Sequence, residues 1–276
     1  MRGFSSSFLI FFYQIALGGL FALAGTPFHE IERGFYKSTA GVLYVIAVLG
    51  LWGKSPLYLE SLGNGLTSGA ALEIFFHVAF IVSFSCYMVS LWTEQRVFRA
   101  RSFAASVLTG CAGLVLSAHS FYDARSLSIL GLIYPGSFFL SSLLLGSVTV
   151  GMLIGHWYLI DTGQSLEPFI RIYLFFVKAL IVQCGFFLIA PLALYYLGTP
   201  QSAAALEQLW RQHSTLLMIR LIVGDGAPLI LAWMIWRTLL IPHTMAATGL
   251  FYIALLGVFV GEILGRQILA LTALPF

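Results

Sequence analysis

Glu73 and His77 stand four residues apart in an otherwise apolar stretch, and Glu262 and Arg266 repeat that spacing near the end of the chain. Four residues bring two side chains to one face of a helix. Arg220 and Asp225 lie in Ile219-Arg220-Leu221-Ile222-Val223-Gly224-Asp225-Gly226-Ala227-Pro228, where two glycines and a proline invite a local break or kink. His119 and Lys178 are further ionisable groups in apolar surroundings. Carboxylates and imidazoles so placed can hold a polar headgroup and exchange protons with it. A quinol demands that chemistry: a hydrogen-bond partner at each of two oxygens, and a proton acceptor when it is oxidised.

Plainer readings stand beside this one. Glu262 and Arg266 read equally as an ion pair that stitches helices together. His77 reads as a buried histidine donating to a backbone carbonyl. His156, in Gly155-His156-Trp157-Tyr158, fits an aromatic belt at a membrane boundary, and Lys178 can snorkel to headgroups. His29, His213 and His243 are loop residues. Metal chemistry fits less well. Cys86, Cys111 and Cys184 are dispersed through apolar runs, read as buried structural cysteines, and form neither a CxxC nor a CxxCH motif. A haem with two histidine ligands would draw on His77 and His119, leaving neither for a quinol. No metal and no haem are expected.

The composition says where such residues must work. Of 276 residues, 59% are hydrophobic and 9% charged, and the mean hydropathy is +0.94. A soluble domain carries about 25% charged residues. So few charges cannot cover a water-facing surface, which excludes a soluble enzyme. The net charge of +3 is too thinly spread to suggest a nucleic-acid partner. At about 20 residues per crossing, the length accommodates roughly eight helices. The expected fold is all-α: a polytopic integral membrane protein with a single transmembrane domain over 1–276, arranged as two four-helix bundles.

Polar breaks divide the chain into apolar segments 7–28, 36–53, 69–92, 102–121, 131–160, 170–198, 215–239 and 245–272. The second is short for a span, with Lys37 in its first turn, and Pro135 predicts an interfacial bend in the fifth. The first resembles a secretory leader in its Arg2 and Ala22-Leu23-Ala24-Gly25, but its apolar run is long and a retained helix is expected. One set of connections carries Arg33, Lys37, Arg96, Arg99, Arg101, Arg171 and Arg237, and the opposite set carries Arg2, Lys54, Arg125 and Arg211. The positive-inside rule then places Thr93–Arg101 in the cytoplasm and both termini outside. Glu73, His77, His119, Arg220, Glu262 and Arg266 fall in the outer half and Asp225 near the middle. Charges at such depth are functional hypotheses by default, and their convergence predicts a headgroup pocket between the third, seventh and eighth segments.

A small-solute or ion transporter using Asp225 and Lys178 is the alternative, since a broken helix at the midplane is a transporter feature. No matching interrupted helix stands in the other half. A purely structural anchor is a third reading.

The run Phe251–Arg266, with Gly261-Glu262-Ile263-Leu264-Gly265-Arg266 at its centre, resembles the last helix of the NrfD/polysulfide-reductase-like integral membrane subunits, closest to the DMSO-reductase membrane-anchor branch. Tyr13-Gln14-Ile15-Ala16-Leu17-Gly18-Gly19 resembles that branch's first helix. The resemblance implies a haem-free anchor in the bacterial cytoplasmic membrane that binds quinone (menaquinone or ubiquinone) near the outer face. It also implies docking to an iron–sulfur subunit and to a molybdopterin or multihaem cytochrome partner. The chain would not be catalytic alone. Glu73, His77, His119, Arg220, Asp225, Glu262 and Arg266 are the expected quinone-site residues. The family carries a quinone-associated histidine near the end of its second helix, where this chain reads Leu51-Trp52-Gly53-Lys54. Either His77 or His119 takes that role, or the quinone function is altered or absent.

Overall fold

The structure, a computed structural model, describes residues 4–26, 28, 30–63, 65, 67–122, 129–161, 163, 165–241 and 243–276. Among these residues the regular structure is entirely helical. In chain order the helices are α1 (Phe4–Ala24), α2 (Arg33–Gly63), α3 (Ser68–Ser90), α4 (Arg96–His119), α5 (Leu130–Ile160) and α6 (Glu167–Leu197). Next come α7 (Pro200–Gln212), α8 (Ser214–Leu221), a π-helical turn over Ile222–Gly226, α9 (Ala227–Leu239) and α10 (Thr244–Thr272). Eight helices are long and apolar enough to cross a membrane, counting Ser214–Leu239 as one. They match the eight apolar segments of the sequence.

Several boundaries differ from expectation. The first helix stops at Ala24 rather than 28, and α4 begins at Arg96, inside the stretch expected to be a loop. The largest change is in α2, which does not end at residue 53 but continues to Gly63. Lys54 is therefore no loop residue: it is 4% exposed and ion-paired to Glu73. Pro56 is tolerated within the helix. Proline cannot donate to the carbonyl four residues back, and Ser55 Oγ donates to that carbonyl, of Trp52, at 2.7 Å. Pro135 likewise lies inside a continuous α5.

The amphipathic α7 was not expected. Thr199 caps it, accepting from the Ser202 N–H at 3.2 Å, and Leu209 is buried while Glu207 and Arg211 pair on the exposed side. Arg2, Arg125 and His29 lie outside the described residues.

The most enclosed helices are α1 and α5, which pack on each other. Small residues permit this: a Cβ on Gly18 would meet the Ser142 carbonyl, and one on Gly146 would meet the backbone of Gly18. Close packing through glycine and serine is the mode available where no water drives helices together. Gln14 Nε2 donates to the Phe138 carbonyl at 2.7 Å, and Ser142 Oγ donates to the Gln14 carbonyl at 2.9 Å. Around this pair, the outward faces present Val45, Trp52, Phe75, Val82, Leu188 and Ile230, all exposed. Cys86 sits on such a face. All three cysteines are free, Cys86 exposed and Cys111 and Cys184 half-buried, so the expectation of buried cysteines is corrected.

Candidate functional site

Two clusters of charged side chains lie toward the end of the helices where α1 begins and α10 finishes. The first is built by α2, α3 and α4. Glu73 is its hub. Lys54 Nζ donates to Glu73 Oε1 at 3.0 Å and to Ser117 Oγ at 3.3 Å. Ser117 Oγ donates to Oε1 at 3.0 Å, and Ser120 Oγ to Oε2 at 3.0 Å. Tyr58, one turn beyond Lys54, puts its hydroxyl 3.5 Å from Oε1 and 3.3 Å from His77 Nδ1. His77 Nδ1 lies 2.8 Å from the Glu73 carbonyl. A carbonyl only accepts, so Nδ1 carries the proton and Nε2 keeps a free lone pair, 3.4 Å from Ser117 Oγ, whose one proton goes to Glu73. The Tyr13 ring closes the cluster, its centroid 4.4 Å from that of His77.

A cavity of about 390 Å³ opens against this cluster. Lys54, Tyr58 and Glu73 line it together with Glu60 and three serines, and Ile10, Leu57 and Ala70 supply apolar wall. Burying an ion pair gains little net stability, because desolvation offsets the attraction. What the Lys54–Glu73 pair supplies is a fixed donor and a fixed acceptor beside a cavity.

The second cluster joins the π-helical turn to α10. Arg220 is 1% exposed and donates to Asp225 Oδ2 at 3.1 Å and to Glu262 Oε1 at 2.8 Å. Arg266 reaches Glu262 Oε2 at 3.4 Å and Ser141 Oγ at 3.3 Å. Gln183 Nε2 donates to Glu262 Oε1 at 2.6 Å. Two arginines thus balance two carboxylates. The local backbone explains the Arg220–Asp225 contact. In an α-helix, residues five apart diverge by about 140°, whereas a π-turn closes around five residues and swings Asp225 back to Arg220. Glycines make room for it. A Cβ on Gly261 would strike Gly224, and one on Gly265 would crowd Arg220 Nε and the Phe276 carbonyl. A smaller cavity, about 210 Å³, lies against Arg220 between α6, α7 and α8, lined by Phe187, Leu209, Trp210 and Phe276.

The site residues expected from sequence therefore separate into two groups. Glu73 and His77 share the first cluster; Arg220, Asp225, Glu262 and Arg266 share the second. Helix α3 packs on α2 and α4, while α8, the π-turn and α9 pack on α10. Between the groups runs α1, with Tyr13 against His77 and Ser7 Oγ donating to the Arg266 carbonyl at 3.3 Å. His119 joins neither group: it is exposed, with Nδ1 2.8 Å from the Tyr122 hydroxyl. Lys178 is exposed on α6. Among the described residues no group of three or more His, Cys, Asp or Glu side chains is arranged to hold a metal ion. His77 has both ring nitrogens facing protein partners.

Sequence reasoning missed Lys54, Tyr58, Ser117, Ser120, Gln183 and Ser141. Lys54 and Tyr58 carry a usable signal, a four-residue spacing that would align them on a continuing helix, but Pro56 between them reads as a stop. Gln183 is a lone amide in an apolar run, a signal of the same kind as Lys178. Compared with protein-family models, curated proteins and solved structures, the chain matches none of them.

Proposed function

We propose that the chain is the quinone-interacting membrane subunit of a respiratory redox complex, with the headgroup received in the cavity beside Lys54, Tyr58 and Glu73. The observation that carries this reading is a fixed cation, a hydroxyl and a carboxylate lining one cavity whose wall is partly apolar. Lys54 and Tyr58 donate to a headgroup oxygen. Glu73 accepts a proton, and His77 stands behind it with one protonated nitrogen and one free lone pair. Lys54 occupies the stretch where the resembled family carries its histidine. In this reading the eight long helices cross the cytoplasmic membrane as two four-helix groups, α1–α4 and α5–α10, joined along α1 and α5. Electrons pass to or from an iron–sulfur, molybdopterin or multihaem cytochrome partner. The transporter alternative draws less support, since no hydrogen bond or ion pair among the described residues joins Lys178 to Asp225.

The test uses the complex purified with its natural partners and a short-chain quinol. Tyr58→Phe removes one hydroxyl and keeps the ring. A hydrogen bond contributes about 0.5–1.5 kcal/mol, so quinol affinity should fall roughly two- to tenfold. His77→Ala removes a group bonded within the cluster and should lose more, while reduction of a soluble dye by the partner enzyme stays normal. Wild-type quinol kinetics in an assembled Tyr58→Phe, His77→Ala complex would remove this cavity from the reaction.

A further inference from the structure

A further cavity lies at the opposite end of the helices and belongs to neither cluster. It measures about 590 Å³ and is walled by the end of α1 and the first turns of α2 and α4. Arg33, Arg96 and Arg99 face it together with Tyr36, Tyr87 and Thr26, and Leu23, Phe28, Ala100 and Phe103 supply apolar wall. Three guanidinium groups in one concave site are a strong local positive field. Glu94 offsets part of it, through two hydrogen bonds to Arg33 at 2.8 and 3.0 Å. That carboxylate is 85% exposed, so Arg33 meets it on the outer side.

Arg99 sets this site apart from a solvated basic loop. Its residue is 8% exposed, although it carries a charge one turn into an apolar helix. The guanidinium lies 4.0 Å from the centroid of the Phe28 ring and donates to the Thr93 carbonyl at 2.8 Å. Its Nε is buried and has no hydrogen-bond partner among the described residues. A buried, under-satisfied donor is expensive to keep, and the residue that carries it lines a cavity. Arg96, next to it on the same rim, has no carboxylate partner within ion-pair distance among the described residues.

We propose that this cavity binds a phosphate group carried on a molecule with an apolar portion. Planar guanidinium groups match the oxygens of phosphate in paired hydrogen bonds, and Arg96 and Arg99 both line the cavity. The apolar walls receive what the phosphate is attached to. An anionic lipid headgroup and a free phosphate share the recognised chemistry, and the two sources separate by experiment.

The purified full-length protein in neutral detergent is titrated with phosphatidylglycerol, with diacylglycerol, which keeps the apolar portion and lacks the phosphate, and with inorganic phosphate, and bound ligand is counted by native mass spectrometry. Phosphatidylglycerol should bind at least about tenfold tighter than diacylglycerol, the increment of one charge-assisted contact. Arg99→Gln should abolish that preference. Because Arg99 is buried and its variant can fail to fold, Arg96→Gln, on an exposed rim residue, is the second variant and should reduce the preference several-fold. Arg211→Gln, at the other end of the molecule, should leave it unchanged. Millimolar inorganic phosphate that displaces the lipid assigns recognition to the phosphate alone; lipid binding that resists it assigns the apolar portion a share, and both results support the site. Equal binding of the two lipids, or an Arg96→Gln protein with wild-type preference, overturns it. So does loss of a co-purifying protein from Arg96→Gln with lipid binding intact, which would give the rim to a protein contact.

Discussion

At the scale of single residues, the second cluster holds a testable balance of charge. Glu262 is shared by Arg220 and Arg266, and Asp225 holds the other side of Arg220. Glu262→Gln leaves two buried cations facing one carboxylate. Breaking a buried pair from one side typically costs about 3–5 kcal/mol, so this variant should unfold at much lower denaturant than the wild type. Adding Arg266→Gln restores neutrality, with Arg220 still paired to Asp225, and should recover part of the loss. A double variant as unstable as the sum of the two singles would show that Arg266 and Glu262 do not interact. The Glu262–Arg266 spacing was legible because four residues on an uninterrupted helix fix a shared face. The Arg220–Asp225 bond was not, since five residues are a shared face only on a π-turn. Lys54 was illegible for the opposite reason: a lysine followed by a proline looks like a helix end, and only the Glu73 carboxylate across the interface makes it a buried residue.

At the scale of elements, the contact between α1 and α5 depends on the absence of side-chain atoms. A Cβ at Gly146 would fall 1.8 Å from the carbonyl carbon of Gly18, whereas one at Gly185 meets nothing within 4 Å. Backbone cannot yield as a flexible side chain does, so Gly146→Ala must drive the two helices apart. Forced overpacking costs typically 1–3 kcal/mol and occasionally more; with backbone as the obstacle, about 3 kcal/mol is expected. Thermal unfolding in detergent checks it, with Gly185→Ala as the control that should melt like the wild type. Equal melting of the two variants would mean that α1 and α5 are not packed this closely. Hydropathy located the eight long helices, because the length of an apolar run is a one-dimensional property. Which helices become the enclosed pair is a property of surfaces meeting, and the small residues that decide it are spread over two distant segments. The short α7 escaped notice because its polar face dilutes the hydropathy that marks the others.

At the scale of the whole molecule, both charged clusters lie toward one end of the helices and the arginine-lined cavity toward the other. Moving Lys54 from a connection into the buried part of α2 sharpens the charge asymmetry used to orient the chain. With Arg99, buried in α4, left out on the same ground, Arg33, Lys37, Arg96, Arg101, Arg171 and Arg237 stand against Arg2, Arg125 and Arg211, six against three. The positive-inside rule counts lysines and arginines near the membrane boundary and not net charge, so Glu94 and Glu30 do not weaken it. The expected outcome is that the turn between α3 and α4 lies in the cytoplasm. With Cys86, Cys111 and Cys184 replaced by alanine, a cysteine at Gln95 should resist a membrane-impermeant maleimide in intact cells and react after permeabilisation. A cysteine at Gln212, at the end of α7, should react in intact cells. Labelling of Gln95→Cys from outside would invert the chain and bring the Lys54–Glu73 cavity to the cytoplasmic half. If the proposed quinone reading holds, a proton released from Glu73 would then enter the cytoplasm instead of leaving the cell, so the sidedness of this one turn decides whether the proposed quinol oxidation adds to a transmembrane proton gradient.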